Sequence, residues 1–85
     1  MFTADTKRSR IDWLAVTRAT LENVDPDDSG FRVVPSDLIE NYDPDKVRSY
    51  ASALTRTFAK LPAFSSHVAV SGTNPDGTRA VAIRA

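Results

Sequence analysis

A run of polar side chains in the C-terminal half of the chain has the chemistry to bind an anion. Apolar residues here recur at spacings of three and four, which is typical of an amphipathic helix; they are Val47, Tyr50, Ala51, Leu54, Phe58 and Leu61. The opposite face of that helix carries cations and hydroxyls, namely Arg48, Ser49, Ser52, Arg56 and Lys60. An arginine forms paired hydrogen bonds with phosphate, and serine hydroxyls add single ones. No acidic residue follows Asp45 on the helix, so the pattern predicts a basic face.

Basic and acidic residues are separated along the chain, although 11 of each give a net charge of zero. Residues 1–21 hold four basic and two acidic side chains, residues 22–45 hold one and eight, and residues 46–85 hold six and one. The three segments therefore carry charges of +2, −7 and +5. Such a separation concerns partners rather than fold. A plainer alternative is that the acids collect in turns and at helix starts, where they are common.

The size and composition restrict the class of protein. A chain of 85 residues and 9.3 kDa without cysteine fits one small domain that has neither disulfides nor a thiolate zinc site. No apolar run approaches the roughly 18 residues of a membrane span, and the N-terminus lacks the apolar segment of a signal peptide. We therefore expect a cytoplasmic protein with a flexible basic arm over residues 1–8 and one domain over residues 9–85.

The N-terminal half predicts two helices and a short strand. Ser9, three residues before Asp12, is a typical helix start. An apolar face follows at helical spacing, made of Trp13, Leu14, Thr17, Leu21 and Val24. A turn-forming stretch over residues 25–30 precedes a short β-branched segment, 31–34, that we interpret as a strand. Ser36 then predicts the cap of a second helix of barely two turns, which extends to Tyr42.

The C-terminal half predicts the long basic helix and a β-hairpin. Asp43 and Pro44 provide a cap residue and a proline at the first helical position, and Pro62 ends the helix. Beyond it the hydrophobic period changes to two, with Val68 and Val70 in one segment and Val81 and Ile83 in the next. Between these segments Asn-Pro-Asp-Gly at 74–77 is suited to a tight reversal.

The series of helix, short strand, short helix, long helix and hairpin over residues 9–85 resembles the winged helix-turn-helix family of DNA-binding domains. The resemblance implies a small α+β fold in which the short strand pairs with the hairpin, the third helix enters the major groove, and the hairpin is the wing. The acidic turn over residues 41–44 and the length of the third helix depart from the family pattern. Both departures leave room for a winged helix that binds protein.

The resemblance gives the basic face a role on duplex DNA. Arg56 would contact guanine or phosphate, Ser49 and Ser52 would meet phosphate or base edges, and Arg48 and Lys60 would flank them. Arg79, just after the wing tip, would touch the neighbouring backbone or minor groove. The basic arm of Lys7, Arg8 and Arg10 would follow a minor groove. The few cations predict modest monomer affinity and hence a homodimer or tandem assembly on DNA.

These implications describe a transcriptional regulator or DNA-organising factor, and two alternatives remain beside them. The helix face is an ordinary solvated surface in the first. In the second, the protein is an interaction module of the adaptor or phage-inhibitor type. Its acidic middle segment would then dock on a basic partner protein or act as an acidic decoy.

Other candidate sites are weaker. Residues 25–30 match the start of a calcium loop, but the second position is Pro26 and the twelfth is Ser36 instead of glutamate. His67, the sole histidine, lies beside Ser65 and Ser66 without a nucleophile-elbow motif. We expect no catalytic, metal or cofactor site. The aromatic residues are expected in the core, with Phe64 at the corner between helix and hairpin; they are Trp13, Phe31, Tyr50 and Phe58.

Overall fold

The computed structural model describes residues 11–85. Its helices and strands are α1 (Trp13–Asn23), β1 (Arg32–Val33), α2 (Val47–Lys60), β2 (Val68–Thr73) and β3 (Arg79–Arg84). Three short 3₁₀ turns connect them, at Ser36–Leu38, Pro44–Lys46 and Pro62–Phe64. The predicted basic arm and the predicted cap Ser9 lie outside the described residues. Within residues 11–85 no helix is long and apolar enough to cross a membrane.

The three strands form one antiparallel sheet in the order β1-β3-β2. The last strand in the chain is therefore the central one. Ile83 of β3 lies opposite Arg32 of β1 on one side and Ala69 of β2 on the other. The predicted α+β class is confirmed, and so is the pairing of the short strand with the hairpin.

The hydrophobic core lies between α2 and the inner face of the sheet. Leu54 of α2 and Ile83 of β3 are both 0% exposed. At the N-terminal end of α2, the ring of Tyr50 lies 5.7 Å from that of Trp13 on α1 and 5.7 Å from that of Tyr42. At the other end Phe64 packs beside Phe58, with ring centroids 6.1 Å apart, as predicted for the helix–hairpin corner.

Helix α1 begins later than predicted. Asp12 is its cap, and the side chain accepts a hydrogen bond of 3.1 Å from the Ala15 N–H. The helix ends at Asn23, where Val24 turns to an extended conformation. Its buried threonines, Thr17 and Thr20, donate their hydroxyls to carbonyls four residues earlier, so both buried hydroxyls are hydrogen-bonded.

The predicted second helix is absent from the described fold, which has two α-helices instead of three. Ser36–Leu38 forms only one 3₁₀ turn, and its preceding residue makes no side-chain cap. Ile39 is already extended and 3% exposed, and Asn41 has a φ of 58°. Two turns gain too few backbone bonds to be stable alone. Burial of Ile39 in the core determines the backbone here.

The long helix ends where its sequence signals indicate, but it begins three residues later than predicted, at Val47, after a 3₁₀ turn. Asp43 accepts a hydrogen bond of 2.9 Å from the Asp45 N–H, and Pro44 occupies the first position of the 3₁₀ turn that leads into α2. The helix ends at Lys60, since Leu61 is extended and Pro62 begins another turn. Every residue of its predicted apolar stripe is buried or half-buried.

Strand β2 places its two valines on the outer face of the sheet and its alanine on the inner face. Val68 and Val70 are 41% and 36% exposed, whereas Ala69 is 9% exposed and faces the core. The register explains the difference, because Ala69 lies opposite the buried Ile83 and therefore shares its face. The small alanine allows α2 to lie close against this strand.

This orientation predicts a larger loss of stability for one of two neighbouring substitutions than for the other. Ala69→Val inserts two methyl groups between β2 and α2 and is expected to destabilise the protein by about 1–3 kcal/mol. Val70→Ala removes a half-exposed side chain and should cost less than about 1 kcal/mol. Urea denaturation of both variants checks this, and a more stable Ala69→Val variant would contradict the assigned register.

The hairpin turn is built as the sequence indicates. The Gly77 N–H donates to the Asn74 carbonyl at 2.9 Å, and the Asn74 N–H donates to the Thr78 carbonyl at 2.7 Å. The Asp76 carboxylate accepts from both the amide and the hydroxyl of Thr78, which lowers the pKa of Asp76. Gly77 has a φ of 92°, a conformation that side chains disfavour.

Two glycines in the hairpin give a matched comparison. Gly77→Ala is expected to destabilise the protein by about 1–2 kcal/mol because of its positive φ, although no atom lies within 4 Å of the added Cβ. Gly72→Ala also meets no atom within 4 Å, and its φ is not positive, so it should be nearly neutral. Thermal unfolding of both variants measures the difference, and equal melting temperatures would contradict it.

Phe31 lies outside the core, contrary to the prediction. It is half-buried beside the outer face of the sheet, where the Arg84 guanidinium carbon lies 4.9 Å from its ring centroid. The strand it precedes is only two residues long and begins at Arg32. The arginine covers the ring and adds a cation–π contact.

Candidate nucleic-acid interface

The outward face of α2 carries its polar residues in one stripe. Arg48, Ser52, Arg56 and Lys60 are spaced by four residues, so they lie one above another on the helix. All four are exposed, as is Ser49 beside them. The described residues provide no hydrogen-bond or ion-pair partner for any of these five side chains. Their donors are free to meet a ligand.

A groove separates this stripe from the edge of the sheet. It is a shallow depression, largely open to solvent, of about 670 Å³, with Arg48, Ser52 and Arg56 on the helix side and Ala69, Val70 and Ser71 on the β2 side. The two arginines are eight residues apart, about 12 Å along the helix axis. No described acidic side chain lines the groove. Its charged groups are therefore of one sign, which favours an anionic ligand.

Two polar residues of the groove were not predicted from the sequence. Thr55 lies on the helix side, and its hydroxyl donates to the Ala51 carbonyl at 2.8 Å, so its oxygen remains available as an acceptor. Ser71 lies on β2, opposite Val81. Thr55 was detectable, since it follows Arg48 by seven residues and shares its side of the helix. The position of Ser71 in the groove follows from the strand register, which could not be predicted from the sequence.

The other three predicted contact residues lie outside this groove. Ser49 and Lys60 lie on the same helix without lining it. Arg79 borders a different depression, beside Tyr42 and Pro44, and its Nη1 donates to the Thr73 hydroxyl at 3.2 Å. Of the six predicted residues, the groove therefore brings together three, and the arm residues Lys7, Arg8 and Arg10 lie outside the described part of the chain.

A tyrosine connects the hairpin, close to its turn, to the start of α2. The Tyr42 hydroxyl donates a 2.9 Å hydrogen bond to the Arg79 carbonyl, and the Tyr50 hydroxyl accepts one of 3.0 Å from the Asp43 N–H. Burial raises the pKa of Tyr42, and the nearby Tyr50 raises it further. Together these bonds fix the strand that carries Arg79 relative to the helix that carries Arg48.

The raised pKa of Tyr42 predicts a loss of stability in alkali. Above the ordinary tyrosine pKa of about 10 the unfolded chain releases this proton more readily than the folded one, so stability falls as pH rises. The part of that fall due to Tyr42 should disappear in Tyr42→Phe, which itself is less stable at neutral pH because it lacks the hydrogen bond to Arg79. Urea unfolding of both proteins at pH 7 and above pH 10 measures the alkaline loss of stability and the lower stability of the variant at neutral pH. An undiminished alkaline fall in the variant would contradict the prediction.

The acidic segment, residues 22–45, is largely exposed, and some of its carboxylates stabilise turns. The Asp27 carboxylate accepts hydrogen bonds from the amides of Ser29 and Phe31, at 2.8 and 3.0 Å. Asp43 caps the turn before α2. Asp25 and Asp28 are exposed and make no hydrogen bond or ion pair with the described residues. Within residues 11–85 no three His, Cys, Asp or Glu side chains are grouped as a metal site.

His67 is packed between aromatic rings. Its ring lies 5.8 Å from that of Phe58 and 5.1 Å from that of Phe64. Its Nδ1 is buried, and the described residues offer it no hydrogen-bond partner. The Ser65 hydroxyl donates to the Pro62 carbonyl at 3.2 Å. Ser65 and His67 are thus engaged in separate contacts at the helix–hairpin corner.

The basic stripe and groove are the candidate site with the most complete set of free polar groups. Comparisons of the chain with protein-family models, with curated protein sequences and with solved structures found no significant match. The interpretation of the site therefore depends on its own geometry and charge.

Proposed function

We propose that this protein binds duplex DNA through the outward face of α2 and acts as a small transcriptional regulator or DNA-organising factor. One observation carries the proposal, namely a stripe of three exposed cations and a serine, free of described partners, on a single helix. An α-helix fits into the major groove, which is about 12 Å wide. The small side chains of Ser52 in the stripe and Ser49 beside it would allow the helix to approach closely, and the cations would reach phosphate or guanine.

The strand order supports a winged-helix arrangement in this proposal. The order β1-β3-β2 and the position of α2 before the hairpin are compatible with that family. The hairpin would serve as the wing and place Arg79 against the DNA backbone beside the α2 site. A single 3₁₀ turn would take the place of the second helix.

The charge of the site sets the expected affinity. Binding through phosphates releases about 0.9 counterion per contact, and α2 offers only Arg48, Arg56 and Lys60. One copy should thus bind weakly, and firm binding requires a homodimer or tandem copies on one duplex.

Fluorescence anisotropy with a labelled random duplex at low and moderate salt tests this proposal. We expect saturable binding that weakens steeply as salt rises. Absence of binding at low salt would overturn it, and tight binding by one copy at a single half-site would overturn the expected assembly. Analytical ultracentrifugation of the complex determines the number of copies.

A second candidate function uses the acidic segment. The exposed carboxylates of Asp25 and Asp28, which have no partner among the described residues, favour docking on a basic protein surface. Asp25→Asn with Asp28→Asn would remove that surface without disturbing the turn that Asp27 forms. This function predicts no duplex binding by the wild type and binding to a cationic partner that the double variant loses.

A further inference from the structure

The outer edge of β2 lies directly beside the basic groove. Among the described strands β2 pairs only with β3, so its other edge is open. The strand reads Val-Ala-Val-Ser-Gly-Thr and contains no charge and no proline. Edges that avoid pairing with other strands are usually protected by lysine, proline or a bulge. This edge has none of these and is able to accept another strand.

The register identifies which backbone groups point outward. The Val34 N–H donates to the Val81 carbonyl at 2.9 Å, so the polar groups of Val81 point toward β1. In an antiparallel strand the N–H and C=O of one residue point the same way. Ser71, opposite Val81, is consequently in a non-hydrogen-bonded pair, and its own N–H and C=O point away from β3. By alternation the same holds for Ala69 and Thr73.

The groove supplies charge on one side of that edge. Ala69 and Ser71 line it together with Arg48 and Arg56. A strand added beside β2 would lie about 4.8 Å from it, and its side chains would alternate between the α2 side and the outer face. Acidic side chains on the α2 side would meet the two arginines. Those on the other side would extend the outer face that carries Val68 and Val70.

We propose that an extended acidic segment of a partner protein docks here by adding a strand to β2, with its carboxylates paired to Arg48 and Arg56. Backbone bonds to Ala69 and Ser71 would give affinity, and the arginines would select acids at alternate positions. A second copy of β2 fits less well, because it contains no acidic residue to face the arginines. The docked segment would also cover two DNA-contact residues and so exclude DNA, a consequence that rests on the proposed function.

Direct binding of a synthetic peptide tests the docking without DNA. The probe is a fluorescent peptide of alternating threonine and glutamate, about ten residues long, which spans β2 when extended. A peptide of the same composition with its glutamates in one block has equal charge but the wrong alternation. We expect the alternating peptide to bind at least about tenfold more tightly than the block peptide, and Arg48→Gln with Arg56→Gln to remove at least about tenfold of that affinity. Equal binding of the two peptides would overturn the proposal.

The backbone contribution has its own test. Ser71→Pro removes an outward N–H without breaking a bond to β3 and should abolish peptide binding, whereas Ser71→Ala should retain it. Hydrogen exchange of the unmodified protein gives the same information independently of how Ser71→Pro folds. On peptide addition the Ala69 and Ser71 amides should become protected, while the Val70 amide, already bonded to β3, should not change. Absence of protection at Ala69 and Ser71 would overturn strand addition.

Competition distinguishes this inference from the proposed function. If both hold, the alternating peptide displaces a labelled duplex. Peptide binding without any duplex binding would support the docking site and overturn the DNA proposal. Duplex binding without peptide binding would support the DNA proposal and overturn the docking site.

Discussion

Replacing Arg48 and Arg56 together with glutamate is expected to weaken duplex binding by at least about 100-fold at low salt. In the proposed complex the double variant would lose two phosphate or base contacts and place two negative charges against the DNA. The slope of log affinity against log salt should also become shallower by about two units, because two fewer counterions are released. Anisotropy titrations over a range of salt concentrations measure both changes.

A charge reversal elsewhere separates local contact from net charge. Arg18 is exposed on α1 and lies outside the groove, so Arg18→Glu is the matched control for Arg56→Glu. The control should weaken binding only slightly, through long-range attraction that salt screens. Circular dichroism confirms that each variant is folded. If Arg18→Glu and Arg56→Glu weaken binding equally, α2 is not the DNA-contacting helix.

Leu54→Ala is expected to be strongly destabilising. Leu54 is 0% exposed and lies on the side of α2 that packs against the sheet. Loss of its side chain leaves a cavity and should cost about 2–5 kcal/mol. A domain of this size has a total stability of about 4–13 kcal/mol. The melting temperature should therefore fall by about 10–30 °C.

Ser52→Ala controls for effects on the helix itself. Ser52 lies on the same helix, is exposed, and makes no hydrogen bond with the described residues. Alanine is a better helix former, so the variant should match or slightly exceed the wild type in stability. A melting temperature for Leu54→Ala within about 3 °C of the wild type would contradict the central position of this residue.

Sequence patterns predicted the elements that their own residues stabilise. The apolar stripe from Val47 to Leu61 and the proline that follows define α2 without help from the rest of the chain. The turn at 74–77 is also stabilised by its own residues, because the hydrogen bonds of Asn74, Asp76 and Gly77 all join residues within 74–78. The charges and hydroxyls of α2 were found for the same reason, since helical period alone places them on one face.

The unpredicted features all depend on distant contacts. Ile39 is extended because it is buried in the core, and no local signal distinguishes that from a short helix. Ala69 faces inward because it shares a register with Ile83, which is fourteen residues away in the chain. Ser71 joins the groove through the same register. Phe31, which precedes β1, packs against Arg84 of β3. Such pairings are set by tertiary packing, which overrides propensity.

The position of β3 at the centre of the sheet has a consequence for folding during synthesis. Neither β1 nor β2 has a partner within the described sheet until residues 79–84 have emerged from the ribosome. Pairing of Arg32 with Ile83 then closes a loop of about fifty residues, which is slow compared with formation of the local hairpin. The nascent chain therefore holds α1, β1 and α2 without their sheet until late. During that interval its apolar surfaces are open to chaperones.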